Sequence, residues 1–266
     1  MDQIELEQYL HKLPLGAIRY YDRVGSTNDE AARWAAAGGP HLGLVVADEQ
    51  TAGRGRLNRH WYTPAGLALA FSLILQGRRL SFSQETISQI TALGALAVCD
   101  ALNQDFSTQI PTQIKWPNDV VAGRRKLAGV LAEAHWQGQA LQAVILGIGI
   151  NVAPDSLPAP EELDFPAACL SDLLGQDVDR WKVLCRVLEK LFGWLPRLGE
   201  PAFIQAWEQR LAFRGEWVQV STGLQPPLEG QILGMNPNGS LRLQLPGGEE
   251  RELLIGDIHL RPVDRL

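Results

Sequence analysis

The chain has 266 residues, 45% of them hydrophobic and 20% charged, enough to bury a sizeable core in one or two domains. Its formal net charge of −6 argues against broad nucleic-acid binding, which draws on an excess of Lys and Arg, and points local basic clusters toward a small anionic ligand. The acidic, amphipathic start is no signal peptide, no apolar run approaches the ~18 residues of a membrane helix, and Cys99, Cys169 and Cys185 read as reduced core residues, so a cytoplasmic protein is expected.

Residues 2–12 predict a short helix with Ile4, Leu6, Tyr9 and Leu10 on its apolar side, and AIRYYDRV (17–24) predicts a strand. A second helix should start at Ser26-Thr27-Asn28-Asp29-Glu30. Thr27 with Glu30 fits a capping box, and the alanine-rich run that follows ends at Gly38-Gly39. Ser26 and Thr27 therefore either cap that helix or line a pocket with Asn28, and the two roles are compatible.

The most informative stretch is Asp48 to Trp61, DEQTAGRGRLNRHW, between the apolar runs 43–48 and 66–75, which predict buried strands. Its glycines, Gly53 and Gly55, let backbone N–H groups approach a ligand closely, and Arg54, Arg56 and Arg59 add fork-shaped cationic donors. That combination suits a phosphate or an acyl-phosphate, although RNA-binding loops and plain surface turns share it.

Residues 81–102 carry apolar positions at a helical period, with Gly94 marking close packing. The stretch 110–136 predicts strands over QIKW and NDVVA broken at Pro117, a turn at AGRR, and a strand over KLAGVLAEAHW. Lys115, Asn118, Asp119 and Lys126 sit at the rims of these segments. They fit an ordinary surface hairpin, or a site where amide and carboxylate oxygens meet Mg²⁺ or a ribose and Lys126 meets a phosphate. ALQAVILGIGINVAP (140–154) predicts a strand whose glycines mark a bulge or the close approach of a ligand. No P-loop and no dinucleotide fingerprint occurs.

A Pro/Asp/Glu-rich loop (153–168) and two amphipathic helices (about 178–195 and 201–212) precede short strands over WVQV, LEGQILGM, SLRLQL and ERELLIGDIHL. These last segments predict a small all-β, barrel-like module packed on the main domain.

Taken together, STN (26–28), EQTAGRGR with Trp61 five residues later, KWPNDV (115–120), RKLAGVL (125–131), GIGINV (147–152) and IHLR (258–261) resemble the biotin protein ligases, in that family's order. The motifs cover residues 15–152 densely and the rest loosely. The resemblance implies an α+β fold. Residues 1–212 would form a mixed-sheet catalytic domain similar to class II aminoacyl-tRNA synthetases and lipoate ligases, and 213–266 an SH3-like barrel. It also implies a two-step reaction. Biotin's carboxylate attacks the α-phosphate of MgATP to give biotinoyl-AMP and pyrophosphate, and a lysine of a carboxylase's biotin carboxyl carrier domain then attacks the mixed anhydride.

By the same resemblance, Lys126, Arg54 and Arg56 would be catalytic. Ser26, Thr27, Asn28, Gln50, Gly53, Arg54, Gly129, Gly147 and Gly149 would bind biotin. Arg56, Trp61, Asn118, Asp119, Lys126, Asn151 and Arg261 would hold the nucleotide, and Asn118 with Asp119 a metal; a core Trp is the alternative reading of Trp61. The glycines and mutually repelling cations of the loop predict that it orders over the adenylate. A homodimer is compatible with the family pattern. Only 25 residues precede Ser26, too few for the winged helix of bifunctional members, so no sequence-specific DNA binding is expected. The rival readings are a lipoate ligase or octanoyl transferase, whose RR-x-S-G-G-G stretch is replaced here by AGRGRLNRHW, a non-catalytic RNA- or nucleotide-binding module, and a catalytically dead scaffold, against which Lys126 and both arginines count.

Overall fold

The structure is a computed structural model that describes all residues except 81–85, 105–109, 164, 222–225, 255–258 and 263–266. In chain order it contains α1 (Gln3–Leu10), β1 (Ala17–Val24), α2 (Thr27–Ala36), β2 (Gly43–Gln50), β3 (Ala68–Gln76) and α3 (Thr86–Gln104). Then follow β4 (Thr112–Lys115), β5 (Asp119–Ala122), β6 (Arg125–Gln137), β7 (Ala140–Asn151), α4 (Leu170–Leu174), α5 (Arg180–Trp194) and α6 (Pro201–Gln209). The chain ends in β8 (Trp217–Ser221), β9 (Leu228–Met235), β10 (Leu241–Gln244), β11 (Glu250–Leu253) and β12 (His259–Pro262).

The first seven strands form one mixed sheet in the order β1-β2-β3-β7-β6-β5-β4, parallel only between β1 and β2. The period of two along β3 divides its side chains between the faces. Leu69, Phe71, Leu73 and Leu75 join the large core beneath α3 and α5, with Leu93, Leu96, Leu184 and Leu188. Ile74 joins a smaller cluster with Val45, Ile145 and the α2 residues Ala31, Trp34 and Ala35. Gly94 lets α3 lie close to the sheet, because a Cβ there would stand 2.8 Å from Val130 Cγ1.

The last five strands form a second sheet in the order β11-β10-β9-β8-β12. It shares the large core through Val218, Val220, Ile232, Leu241 and Leu243. The buried Trp116 donates its indole N–H to Gly239 O across the junction at 3.0 Å, and Arg124 pairs with Glu216 at 2.6 Å.

Four local expectations are corrected. The capping box forms at Asp2 and Glu5 in α1, whereas Ser26 precedes α2 without a side-chain cap and Glu30 pairs with Arg33. ERELLIGDIHL is two strands on opposite edges of the second sheet, which no single strand could reach. The last helix ends at Gln209 because the chain turns away to the edge of β4, where Ile114 N donates to Arg210 O and Ala212 N to Ile114 O. Cys99 and Cys169 are buried free thiols, but Cys185 is only partly covered.

Candidate active site

On the α2 side of the main sheet, α2 covers only one end. Beyond it the strands carry Ala70, Gly129, Gly147 and Gly149, which line a cavity of about 130 Å³. Gly129 and Gly149 are directly paired across β6 and β7, and Gly147 pairs with Ser72 of β3. The ladder between β3 and β7 runs without a bulge here, so the glycines serve close approach. A methyl on Gly147 would overlap the amide of Asn28, and one on Gly149 would overlap the indole of Trp61.

The closed end of this cavity is polar and buried. Gln50 donates Nε2–H to Thr63 Oγ1 at 3.0 Å, which turns its Oε1 toward Thr27, where it accepts from the backbone N–H at 2.8 Å and the hydroxyl at 3.1 Å. Ser72 Oγ bridges Thr27 Oγ1 at 2.8 Å and Asn28 Oδ1 at 2.6 Å. Asn28 donates Nδ2–H to Glu133 Oε2 at 2.7 Å. The Asn28 amide is thus spent on the protein, and Thr27 is held by Gln50 and Ser72. Ser26 lines the cavity with a hydroxyl that makes no cap bond.

The roof is the arginine loop. It folds back on itself, with Trp61 N donating to Gly53 O at 2.8 Å and Gly55 N to Arg59 O at 2.7 Å. Arg54 forks onto Glu133 at 2.8 and 2.7 Å and reaches Asp29 at 2.8 Å. Arg56 donates to Asn118 Oδ1 at 3.2 Å, and Asn118 Nδ2 donates to Val130 O at 2.9 Å. These contacts offset the mutual repulsion of the loop's cations.

A second cavity, of about 500 Å³, adjoins the first. Arg59, His60, Trp61, Lys115, Asp119 and Lys126 line both. At this junction Lys126 Nζ lies 2.7 Å from Asp119 Oδ1 and 5.3 Å from the Trp61 ring centroid. Lys115 Nζ lies 3.7 Å from Asp119 Oδ2 and 4.0 Å from the Phe165 ring centroid. Burial by itself pushes the Asp119 carboxyl up, but Lys126, Lys115 and Arg56 outweigh burial and hold it below its ordinary 3.8. The junction is therefore built for anionic groups.

The structure gathers most of the residues singled out above. Ser26, Thr27, Asn28, Gln50, Arg54, Arg56, Trp61, Asn118, Asp119, Lys126, Gly129, Gly147 and Gly149 line the inner cavity. Gly53 does not; a side chain there would meet Trp61 O and Gln50. Asn151 lines the outer cavity, its amide donating to Ala168 O at 3.1 Å. Arg261 pairs with Gln219 in the second sheet, and its side chain lies outside the described residues. Asn118 and Asp119 fit a protein-held metal poorly. Their oxygens already accept from Arg56 and Lys126, and no group of three or more metal-ligating side chains occurs among the described residues. A divalent ion here would be carried mainly by phosphates and water.

The sequence reading missed Glu133, Ser72, Thr63 and Phe165. Strand parity could have flagged Glu133, which lies four residues beyond Gly129 on the same face of β6. The other three are recognisable only through distant partners.

Residues 20–151 match the model of the Biotin/lipoate A/B protein ligase family. The chain is 35% identical over 235 residues to the biotin–[acetyl-CoA-carboxylase] ligase of Paracoccus denitrificans, covering 86% of this chain and 94% of that one. It is 34% identical over 244 residues to the bifunctional ligase/repressor BirA of Bacillus spizizenii, covering 91% and 73%. The solved structure of biotin protein ligase from Aquifex aeolicus in complex with biotin and ATP superposes with a TM-score of 0.77 at 30% identity, covering 94% of this chain and all of that one. With an inner polar slot, a cationic junction and an outer cavity on the same sheet, this chain belongs to the biotin protein ligase family.

Proposed function

We propose that the protein activates biotin with MgATP and transfers it to a lysine of a biotin carboxyl carrier domain. One observation carries this reading: Lys115 and Lys126 line the wall shared by two adjoining cavities, Arg56 lines the inner one, and the one carboxylate lining the inner cavity among the described residues is Asp119. Biotin lies in the inner cavity, its ureido ring toward Ser26, Thr27 and Gln50 and its carboxylate toward the junction. The nucleotide lies in the outer cavity, with its α-phosphate at the same junction.

The first step brings a carboxylate to a polyphosphate, so like charges must be offset. A unit charge pair at 4 Å is worth ~4 kcal/mol at an effective dielectric of ~20, so two or three cations supply a large share of the barrier reduction. A carboxylate oxygen bonds to the α-phosphorus as the bond to pyrophosphate breaks. In the second step the carrier amine bonds to the acyl carbon and AMP leaves. Mg²⁺ supplies charge neutralisation on the leaving phosphates. The chain's own groups position the reactants. Among the described residues the buried Trp61 indole N–H has no hydrogen-bond partner, which supports a ligand at this wall, since such a group costs about 1–3 kcal/mol unless it is satisfied. In the same reading, residues 213–266 are an SH3-like domain appended to a catalytic domain of residues 1–212.

The test is exchange of labelled pyrophosphate into ATP, with biotin, lipoate and octanoate run in parallel. Exchange with biotin alone, lowered about 100-fold or more in Lys126→Ala, is the expected result. Exchange with lipoate instead would keep the fold and change the substrate.

A further inference from the structure

We propose that Glu133 is a positioning residue that clamps the arginine loop to the floor of the biotin slot, an inference that rests on the ligand placement just described. Glu133 is not among the residues lining either cavity. Its carboxylate nevertheless joins three segments that are remote in sequence. Oε1 accepts from Arg54 Nη1 at 2.8 Å, while Oε2 accepts from Arg54 Nη2 at 2.7 Å and from Asn28 Nδ2 at 2.7 Å. One carboxylate thus fixes the loop, the first turn of α2 and β6 relative to one another.

The geometry is more specific than a surface ion pair. A fork-to-fork contact fixes direction as well as distance, and Asp29 completes it at 2.8 Å from Arg54 Nη2. The Glu133 and Arg54 side chains are 26% and 39% exposed, so the pair is only partly open to solvent screening. Hydrogen bonding to Glu133 pushes the Arg54 guanidinium up, away from any neutral form.

Two consequences follow. Arg54, engaged by two carboxylates, acts chiefly by holding the loop, and the neighbouring Arg56 is thereby kept against Asn118 at the junction. Asn28, held from the far side by Glu133, keeps its amide in the space above Gly147, where it shapes the slot floor. Glu133 therefore couples the order of the loop to the shape of the biotin slot, and its loss should weaken biotin binding more than ATP binding.

The experiment uses the full chain with Glu133→Gln, Arg54→Ala and the double variant. Glutamine keeps the size and loses the charge, so one acceptor cannot hold the whole fork. Tryptic cleavage after Arg56 and Arg59 in the ligand-free protein should speed up about tenfold in each single variant, as expected when a charge-assisted contact is lost from a loop. In pyrophosphate exchange the KM for biotin should rise about tenfold while the KM for ATP moves less than about twofold. The double variant should be no worse than the worse single, because one contact has been removed twice. Arg54→Lys, which leaves the slot floor intact, should cleave as fast as Arg54→Ala, since a point charge cannot span both oxygens.

Cleavage rates within about twofold of the parent, or multiplicative effects in the double variant, would overturn the clamp. So would a fall in melting temperature with both KM values unchanged, the signature of a merely structural pair. If the parent shows no exchange with biotin, the functional reading fails, but the cleavage series still decides whether the clamp exists.

Discussion

The three glycines beneath the slot should respond to alanine in a graded way set by what each methyl would meet. None has a positive φ, so the backbone accepts alanine at all three and only the space differs. At Gly129 the new Cβ would lie 3.1 Å from Trp61 and 3.4 Å from Lys126 Cε, contacts that a loop indole and a flexible lysine can relieve. At Gly149 it would overlap the Trp61 indole, which must swing away together with the loop. At Gly147 it would overlap the amide of Asn28, a residue only 4% exposed whose amide cannot yield without breaking bonds to Ser72 and Glu133. Overpacking costs about 1–3 kcal/mol and a broken buried hydrogen bond about 1–3 more, against a gain of about 0.4–1 from a stiffer unfolded chain. Gly147→Ala should therefore lose about 2–4 kcal/mol, or roughly 5–15 °C in melting temperature, while Gly129→Ala stays within about 1 kcal/mol of the parent. Gly149→Ala should fall between the other two in stability, change tryptophan fluorescence and raise the KM for biotin. Calorimetry and fluorescence on the three variants provide the assay. A Gly147→Ala protein melting at or above Gly129→Ala would refute the argument that Asn28 is locked.

Asp119 is held below 3.8 by its three cationic neighbours despite burial, so its carboxylate adds stability above the unfolded value and loses it as pH falls through the folded one. Asp119→Asn should flatten the acid limb of the stability curve below about pH 5, and a limb parallel to the parent's would contradict the ion cluster. Trp116→Phe removes the indole bond to Gly239 O and orphans a buried carbonyl, so it should cost about 1–3 kcal/mol and raise hydrogen exchange first in the turn before β10; uniform exchange across the chain would argue against that junction. Burial pushes the Cys99 thiol up to about 12, so in the native protein a thiol reagent should modify Cys185 ahead of Cys99 and Cys169; early labelling of Cys99 would contradict its burial.

Strand and helix periods alone located nearly every element of the main sheet, because its strands are long and its inward residues alternate or run unbroken. The cationic loop, KWPND and the paired glycines were visible too, since their residue types are costly unless they serve a turn, a ligand or a close neighbour. What stayed hidden depended on contacts between distant segments. The capping reading of Thr27 lost to Gln50, 23 residues away, and the roles of Glu133 and Asn28 rest on a bond between residues 105 apart. ERELLIGDIHL read as one strand because alternation cannot tell which sheet edge a residue will pair with. The glycines likewise marked a close approach without saying by what. That Asn28 and Trp61 fill those spaces, and that Arg54 faces two carboxylates, was decided by the closing of the sheet, where local sequence has no leverage on which side chain arrives from the far end of the chain.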